Sequence, residues 1–232
     1  FGIVEPGDAS GARRRCIALG RVPVADVGLV ERALDRFAGH LVHGEEVVTV
    51  DDHPRHVEAA GAVGHCAVQI AASGGARVIG TVGNEQAATH VMAGGAFATI
   101  DRRREDVFAR VMDLTDGTGA DRVIEVDFAS NMALDAAVLK ANGTVASYSS
   151  SSNPQPVLPY YAFQSKGANL RFIQGFAIPA AARREGEALI ARLAAARKFT
   201  IAIARTYPLS EIARAHLDVE RGGNLGNIVV TI

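Results

Sequence analysis

Tryptophan is absent from this chain, and cysteine occurs only twice, as Cys16 and Cys66. One lies in an arginine-rich loop and the other in a helical pattern, so a disulfide framework is not expected and a reducing cytoplasm fits best. A zinc site lacks support too, because there is no Cys-x-x-Cys and no clustered Cys/His set. His53 and His56 flank Pro54 and read as exposed loop histidines. Net charge is also lacking: a formal value of -1 at pH 7 gives no broad attraction for nucleic acid or an anionic membrane. Two short basic runs, Arg13, Arg14 and Arg15, then Arg102, Arg103 and Arg104, read as solvated faces. No apolar stretch approaches the roughly 20 residues of a membrane span. The opening Phe1-Gly2-Ile3-Val4-Glu5-Pro6 has no basic leader before an apolar core, so neither insertion nor secretion is expected.

What the chain does have is apolar material. Hydrophobic residues make up 48% of its 232 positions and charged residues 21%, enough for one full domain plus a partial second. From Glu46 onward, short β-branched runs alternate with Ala-rich stretches of helical period, the pattern of βαβ units. Strands are expected at Val47 to Val50, Arg77 to Val82, Ala98 to Ile100, Arg122 to Asp127, Thr144 to Tyr148, Leu170 to Ile173 and Asn227 to Ile232. Several are almost continuously apolar, as strands covered on both faces should be. Val63, Cys66, Ala67 and Ile70 recur at helical spacing, as do Val107, Val111 and Leu114. Further helices are expected over Ala180 to Arg197, after Pro179, and over Ser210 to Glu220, with Ser210 as cap and Gly222-Gly223 as stop. Ahead of Glu46, Pro6 to Gly11 reads as turn and Val24 to Phe37 as helix. The fold class is therefore α/β, a doubly wound Rossmann sheet.

Ala59-Ala60-Gly61-Ala62-Val63-Gly64 opens the first Ala-rich helix and fits the dinucleotide fingerprint with Ala at the first glycine. Gly61 would let the backbone approach a pyrophosphate, Gly64 would let the helix pack closely on the sheet, and the helix N-terminus favours negative charge. The same residues also serve as a packing device alone. About twenty residues on, where NAD enzymes place an acidic residue for the ribose, this chain has Val82-Gly83-Asn84. Without a carboxylate there, a 2′-phosphate is tolerated, and Asn84 and Gln86 can donate to it. The next strand ends at Asp101-Arg102. An Arg102–phosphate contact of roughly 1.5–3 kcal/mol would favour NADPH by about 10-fold to over 100-fold. Arg102 equally fits an exposed basic loop.

A wider set of residues carries a resemblance. After Ala59 to Gly64 come His65 to Ala71, Gly75-Ala76-Arg77-Val78-Ile79, Gly119 to Glu125, Asn142-Gly143-Thr144, Pro208-Leu209-Ser210, Ala215-His216, Glu220 and Gly226 to Val230. In that order they resemble the zinc-independent quinone oxidoreductases, the zeta-crystallin-like family of the medium-chain dehydrogenase/reductase superfamily. The resemblance covers Val47 to Ile232. It implies a homodimeric, NADPH-dependent reductase of quinones or activated alkenes. It also implies a partial GroES-like portion built from the two chain ends. Gly61, Ala62 and Val63 would hold the pyrophosphate, and Phe128, Tyr148 and Ser149 would line the cofactor. Ile173 and Gln174 would lie near the nicotinamide, with Asn227 on the cofactor's far side. Phe128 and Ile173 equally suit the core, and Ser149 a turn. His216, on a helix face with Ile212 and Val219, reads as a packed histidine outside the site. No side chain is nominated as proton donor.

The expected division is a catalytic-domain remnant and connecting helix over 1–45, a dinucleotide-binding domain over 46–197, and a returning segment over 198–232. Two departures from the family pattern matter. The region ahead of Glu46 is shorter than the family's catalytic domain, and Asp51 to Val57 separates the first strand from the glycine turn. Pro54 cannot donate to a central ladder, so this stretch reads as a bulge. Both sustain an alternative, a cofactor-binding protein without turnover. A methyltransferase fits less well, because it would want an acid where Asn84 stands.

Overall fold

The computed structural model describes residues 3–4, 16–19, 46–50 and 59–232, the first three stretches as strands only. The turn expected over 6–11, the helix over 24–37, His53, His56, the run 13–15 and the insertion 51–57 lie outside the described residues.

Two short strands, β1 (Ile3–Val4) and β2 (Cys16–Leu19), belong to the smaller of two sheets. Cys16 thus begins a strand and is not in a loop: Cys16-Ile17-Ala18-Leu19 is an apolar run, and it is laid against the last strand of the chain. The larger sheet contains β3 (Glu46–Val50), β4 (Arg77–Val82), β5 (Ala98–Asp101), β6 (Ala120–Glu125), β7 (Leu139–Ser147) and β8 (Asn169–Phe172). Their order is β5-β4-β3-β6-β7-β8, and every pair is parallel. β3 and β6 are neighbours although two strands separate them in sequence, so the strand order reverses between them. That reversal is the mark of a doubly wound sheet.

Between the strands run α1 (Ala62–Ser73), α2 (Glu85–Ala93), α3 (Val107–Leu114), α4 (Phe128–Val138) and α5 (Tyr160–Gln164). Local chemistry sets their ends. Asn84 Oδ1 accepts from the Ala87 N–H at 2.8 Å to start α2, and Asp106 does the same for α3 through Ala109 at 3.0 Å. α1 is buried from Val63 to Ala71, on all sides, which its small side chains permit. Gln69 in α1 is tied to a distant segment, its Oε1 accepting from Thr200 N–H at 2.8 Å and its Nε2 donating to the Thr200 carbonyl at 3.0 Å.

The strands divide their side chains between two cores. Val78, Val82, Ile124 and Ala146 join Val63, Ala67, Ile70 and Val91 of α1 and α2. Ile79, Val123 and Val145 join Val107, Val111, Phe128 and Phe163 of α3, α4 and α5. Burial on both faces explains the continuous apolar runs, and a fully buried Ile79 alone contributes about 2 kcal/mol.

β7 begins earlier than the sequence suggests. Its partner register jumps from Ala120↔Leu139 to Arg122↔Thr144, so residues between Leu139 and Thr144 bulge out around Asn142, whose φ is 61°. The regular part stops at Ser147, one residue before the expected end.

After α6 (Ala180–Ala195), the chain forms β9 (Ile203–Pro208), α7 (Ile212–Arg221) and β10 (Asn227–Thr231). The smaller sheet has the order β1-β2-β10-β9. It is built from the two chain ends, as expected. β9 had no sequence-level counterpart: its exposed, mixed residues alternate poorly, and pairing with β10 defines it. Ser210 does not cap α7. It lies in a short 3-10 turn, Leu209–Glu211, and Glu211 takes the cap position. His216 is exposed rather than packed, because Tyr207, Ala215, Ile228 and Val230 fill this core, with Ile212 and Val219 against them.

Candidate functional site

In an open α/β sheet, ligands bind at the carboxyl ends of the strands, beside the point where the strand order reverses. Here that point is the β3/β6 boundary. Asn84, Arg102, Phe128, Tyr148, Ser149, Ile173 and Gln174 lie just beyond the carboxyl ends of β4 to β8, Gly61, Ala62 and Val63 lie at the start of α1, and Asn227 lies apart.

Ala59 and Ala60 form a buried turn leading to Gly61, the residue before α1, which is extended at φ -69° and ψ 173°. The first intrahelical bond runs from His65 N–H to the Gly61 carbonyl at 2.9 Å. The N–H groups of Ala62, Val63 and Gly64 therefore precede the helix ladder. Among the described residues no side chain caps them, and the first turn has no acidic residue. The donors and the helix dipole suit an anion there.

At the next strand end, exposed Asn84 uses Oδ1 to cap α2, which leaves its amide nitrogen as a donor. Arg102 follows β5, and its N–H donates to the Val82 carbonyl at 3.0 Å. The backbone bond brings the Arg102 corner against the Val82-Gly83-Asn84 corner. The side chain of Arg102 is half-buried.

A cleft of about 450 Å3 opens at the ends of β6, β7 and β8, a size suited to a small ligand. It gathers Phe128, Tyr148, Ser149 and Ile173 from the sequence expectations. Ser147, Ser150, Pro154, Pro156, Leu158 and Phe172 complete its lining. These six were not singled out from sequence; the one signal was a Ser/Pro-rich stretch without period. Phe128 serves both roles, lying in the core at 3% exposure and edge-on to Phe172, ring centroids 5.4 Å apart. Tyr148 and Ile173 are held by their backbones. Tyr148 N–H donates to the Glu125 carbonyl at 3.3 Å, and Ile173 N–H to the Ser147 carbonyl at 2.8 Å. Gln174, exposed, follows Ile173 outside that lining. Asn227 stands apart, at the start of β10, with Nδ2 donating to the Ala202 carbonyl at 3.2 Å.

Behind the cleft lies an acidic cluster that sequence reading missed. Glu125, Asp127 and Asp135 are each fully buried. Glu125 Oε1 accepts from the Asp127 N–H and from Asn131 Nδ2 at 3.0 Å. Burial first, and then the neighbouring charge of Glu125, raise the Asp135 pKa well above its ordinary 3.8.

Among the described residues no group of three or more His, Cys, Asp or Glu side chains is arranged to hold a metal ion. No helix among them is long and apolar enough to cross a membrane.

Residues 62–195 match the zinc-binding dehydrogenase family. The quinone oxidoreductase of Sus scrofa is 29% identical over 168 residues, covering 69% of this chain and 48% of that protein. Quinone oxidoreductase 1 of Escherichia coli (strain K12) is 28% identical over 174 residues, covering 73% of this chain and 53% of that protein. The chain thus spans about half the length of the curated relatives it matches. Among solved structures, the quinone oxidoreductase of Pseudomonas syringae pv. Tomato DC3000 superposes with a TM-score of 0.76 at 25% identity, over 89% of this chain and 62% of that one. A mycobacterial protein solved in complex with NADPH gives a TM-score of 0.75 at 26% identity, over 89% and 62% of the two chains. A family match over more than half of the sequence, on a doubly wound sheet, places this chain in the zinc-binding dehydrogenase family, on its quinone-oxidoreductase-like branch.

Proposed function

We propose that this chain is the cofactor-binding part of an NADPH-dependent oxidoreductase that passes hydride to a quinone or to an activated alkene or carbonyl. The observation that carries the reading is the N-terminus of α1, which no side chain among the described residues caps, together with Asn84, Arg102, Phe128, Tyr148, Ser149 and Ile173 just past the ends of β4 to β8. Gly61, Ala62 and Val63 hold the pyrophosphate with backbone donors. Asn84 and Arg102 take the 2′-phosphate, where a carboxylate would repel it. Phe128, Tyr148, Ser149 and Ile173 form the nicotinamide end of the site, and their apolar surfaces exclude water from it. Asn227 borders the far side of the cofactor. When bound, reduced nicotinamide supplies the hydride. The names of the relatives, quinone oxidoreductases and an NADPH complex, support the same assignment.

In this reading 46–197 form the dinucleotide-binding domain, 1–45 are the catalytic-domain remnant and connecting helix, and 198–232 are the segment that returns toward the catalytic portion. The protein works in the cytoplasm as a homodimer, joined through β8, one of the two edge strands of the larger sheet. Exposed Phe172 and Phe176 beside that edge supply the apolar contact.

Calorimetry with NADPH and NADH, followed by NADPH consumption with a panel of quinones and enones, tests the assignment. Tight NADPH binding with turnover is the expected result. Binding without turnover leaves the second reading, a cofactor-binding protein whose substrate is not positioned against the cofactor. No heat with either nucleotide overturns both.

A further inference from the structure

Asp127 occupies the cap position of α4, yet its carboxylate makes no capping bond to its own helix. The carboxylate instead faces the segment after β7. Oδ1 accepts from the Ser152 N–H at 3.1 Å and from Ser152 Oγ at 3.0 Å, and Oδ2 accepts from Ser130 Oγ at 3.0 Å. In return, that segment caps the helix: Phe128 N–H donates to the Ser149 carbonyl at 3.0 Å, and Ala129 N–H to Ser150 Oγ at 3.2 Å. Strap and helix end each satisfy the polar groups that the other leaves open.

This exchange matters because the strap is made of serines. Such a segment buries little apolar surface, so hydrogen bonds decide where it sits. Two of its residues, Ser149 and Ser150, line the cleft, while Asp127 is fully buried behind them and does not. A carboxylate suits the task because both of its oxygens only accept, and each meets hydroxyl or amide donors.

We infer that Asp127 is a positioning residue for the cofactor cleft: through Ser152 it fixes the serine strap that forms the wall on the nicotinamide side. The inference rests on the NADPH reading above. It assigns to Asp127 a role exerted wholly through the strap, with no contact to cofactor or substrate.

Three variants test it, Asp127→Asn, Asp127→Ala and Ser152→Ala, read by amide hydrogen exchange over 149–152 and by NADPH calorimetry. Asp127→Ala should speed exchange at the Ser152 amide at least tenfold and weaken NADPH binding by about tenfold. Asp127→Asn keeps one acceptor oxygen for Ser152 and should restore most of both. Where turnover is measurable, the loss should fall on KM for NADPH more than on kcat. Ser152→Ala lies on the exposed surface, so it reads the same link should Asp127→Ala fail to fold. Faster strap exchange with an NADPH Kd within about twofold of the parent would overturn the inference and leave the cofactor reading standing. A parent protein that binds no NADPH sinks the cofactor reading, and this inference with it.

Discussion

Nδ1 of His65 in α1 lies 2.5 Å from Nε2 of His90 in α2, so a single hydrogen bond between imidazoles joins the two helices that flank the first half of the sheet. Gly94 makes room for the pair, since a Cβ there would sit 2.9 Å from His65 Nε2. Burial first, and then the neighbouring His90, lower the His65 pKa to about 4.

Acid should therefore weaken the fold in a defined window. In the unfolded chain His65 takes up a proton near its ordinary value of 6.5, whereas the folded protein resists until about 4. Stability is full above the first value and falls as pH drops toward the second, by about 2 kcal/mol at about pH 5. Urea unfolding at neutral pH and at about pH 5 measures it. His65→Gln should flatten the difference; an equal slope in both proteins would remove this histidine as the cause.

The Glu125–Asp135 pair predicts the opposite trend. Because the Asp135 pKa is raised in the folded state, its proton is released more easily from the unfolded chain, and the pair costs stability progressively as pH climbs above the ordinary carboxyl range. Asp135→Asn places a neutral amide donor beside Glu125 and has no carboxyl to ionise. We expect it to stabilise the protein at neutral and alkaline pH by about 1 kcal/mol or more, while Asp135→Ala destabilises. Chemical unfolding across that range checks the sign, and a less stable Asp135→Asn at about pH 8 contradicts it.

For Arg102, the expectation is one of selectivity. Arg102→Ala should lower the ratio of NADPH to NADH affinity by about 10-fold to 100-fold, with NADH binding little changed. Titration calorimetry with both nucleotides gives the ratio directly. A ratio that stays where it was would return Arg102 to the exposed loop.

Replacing Phe176, which is 73% exposed in the turn after β8, with Asp should weaken dimerisation by about tenfold or more. Sedimentation velocity over a dilution series reads the shift. A parent protein that is monomeric throughout disproves the edge-to-edge dimer.

Much of the larger sheet was legible because its signals are local. Val78-Ile79 and Val123-Ile124 announce strands buried on both faces, and Gly222 marks a helix end, each by chemistry that a few neighbouring residues decide. The Gly61 turn was legible for the same reason. Cys16 and β9 were misread or missed, because Cys16-Ile17-Ala18-Leu19 and Ile203–Pro208 are both paired to β10, which lies far from β2 in sequence.

The sequence by itself determined the alternation of strands and helices, the glycine turn and the family. These follow from periodicity and from residues a few positions apart. Only the tertiary structure decided which serines wall the cleft, that Asp127 reaches Ser152, that His65 meets His90, and that Gln69 anchors Thr200. Each of those contacts joins polar residues from separate elements, and a polar residue's partner is set by where the folded backbone puts it, a position no local pattern encodes.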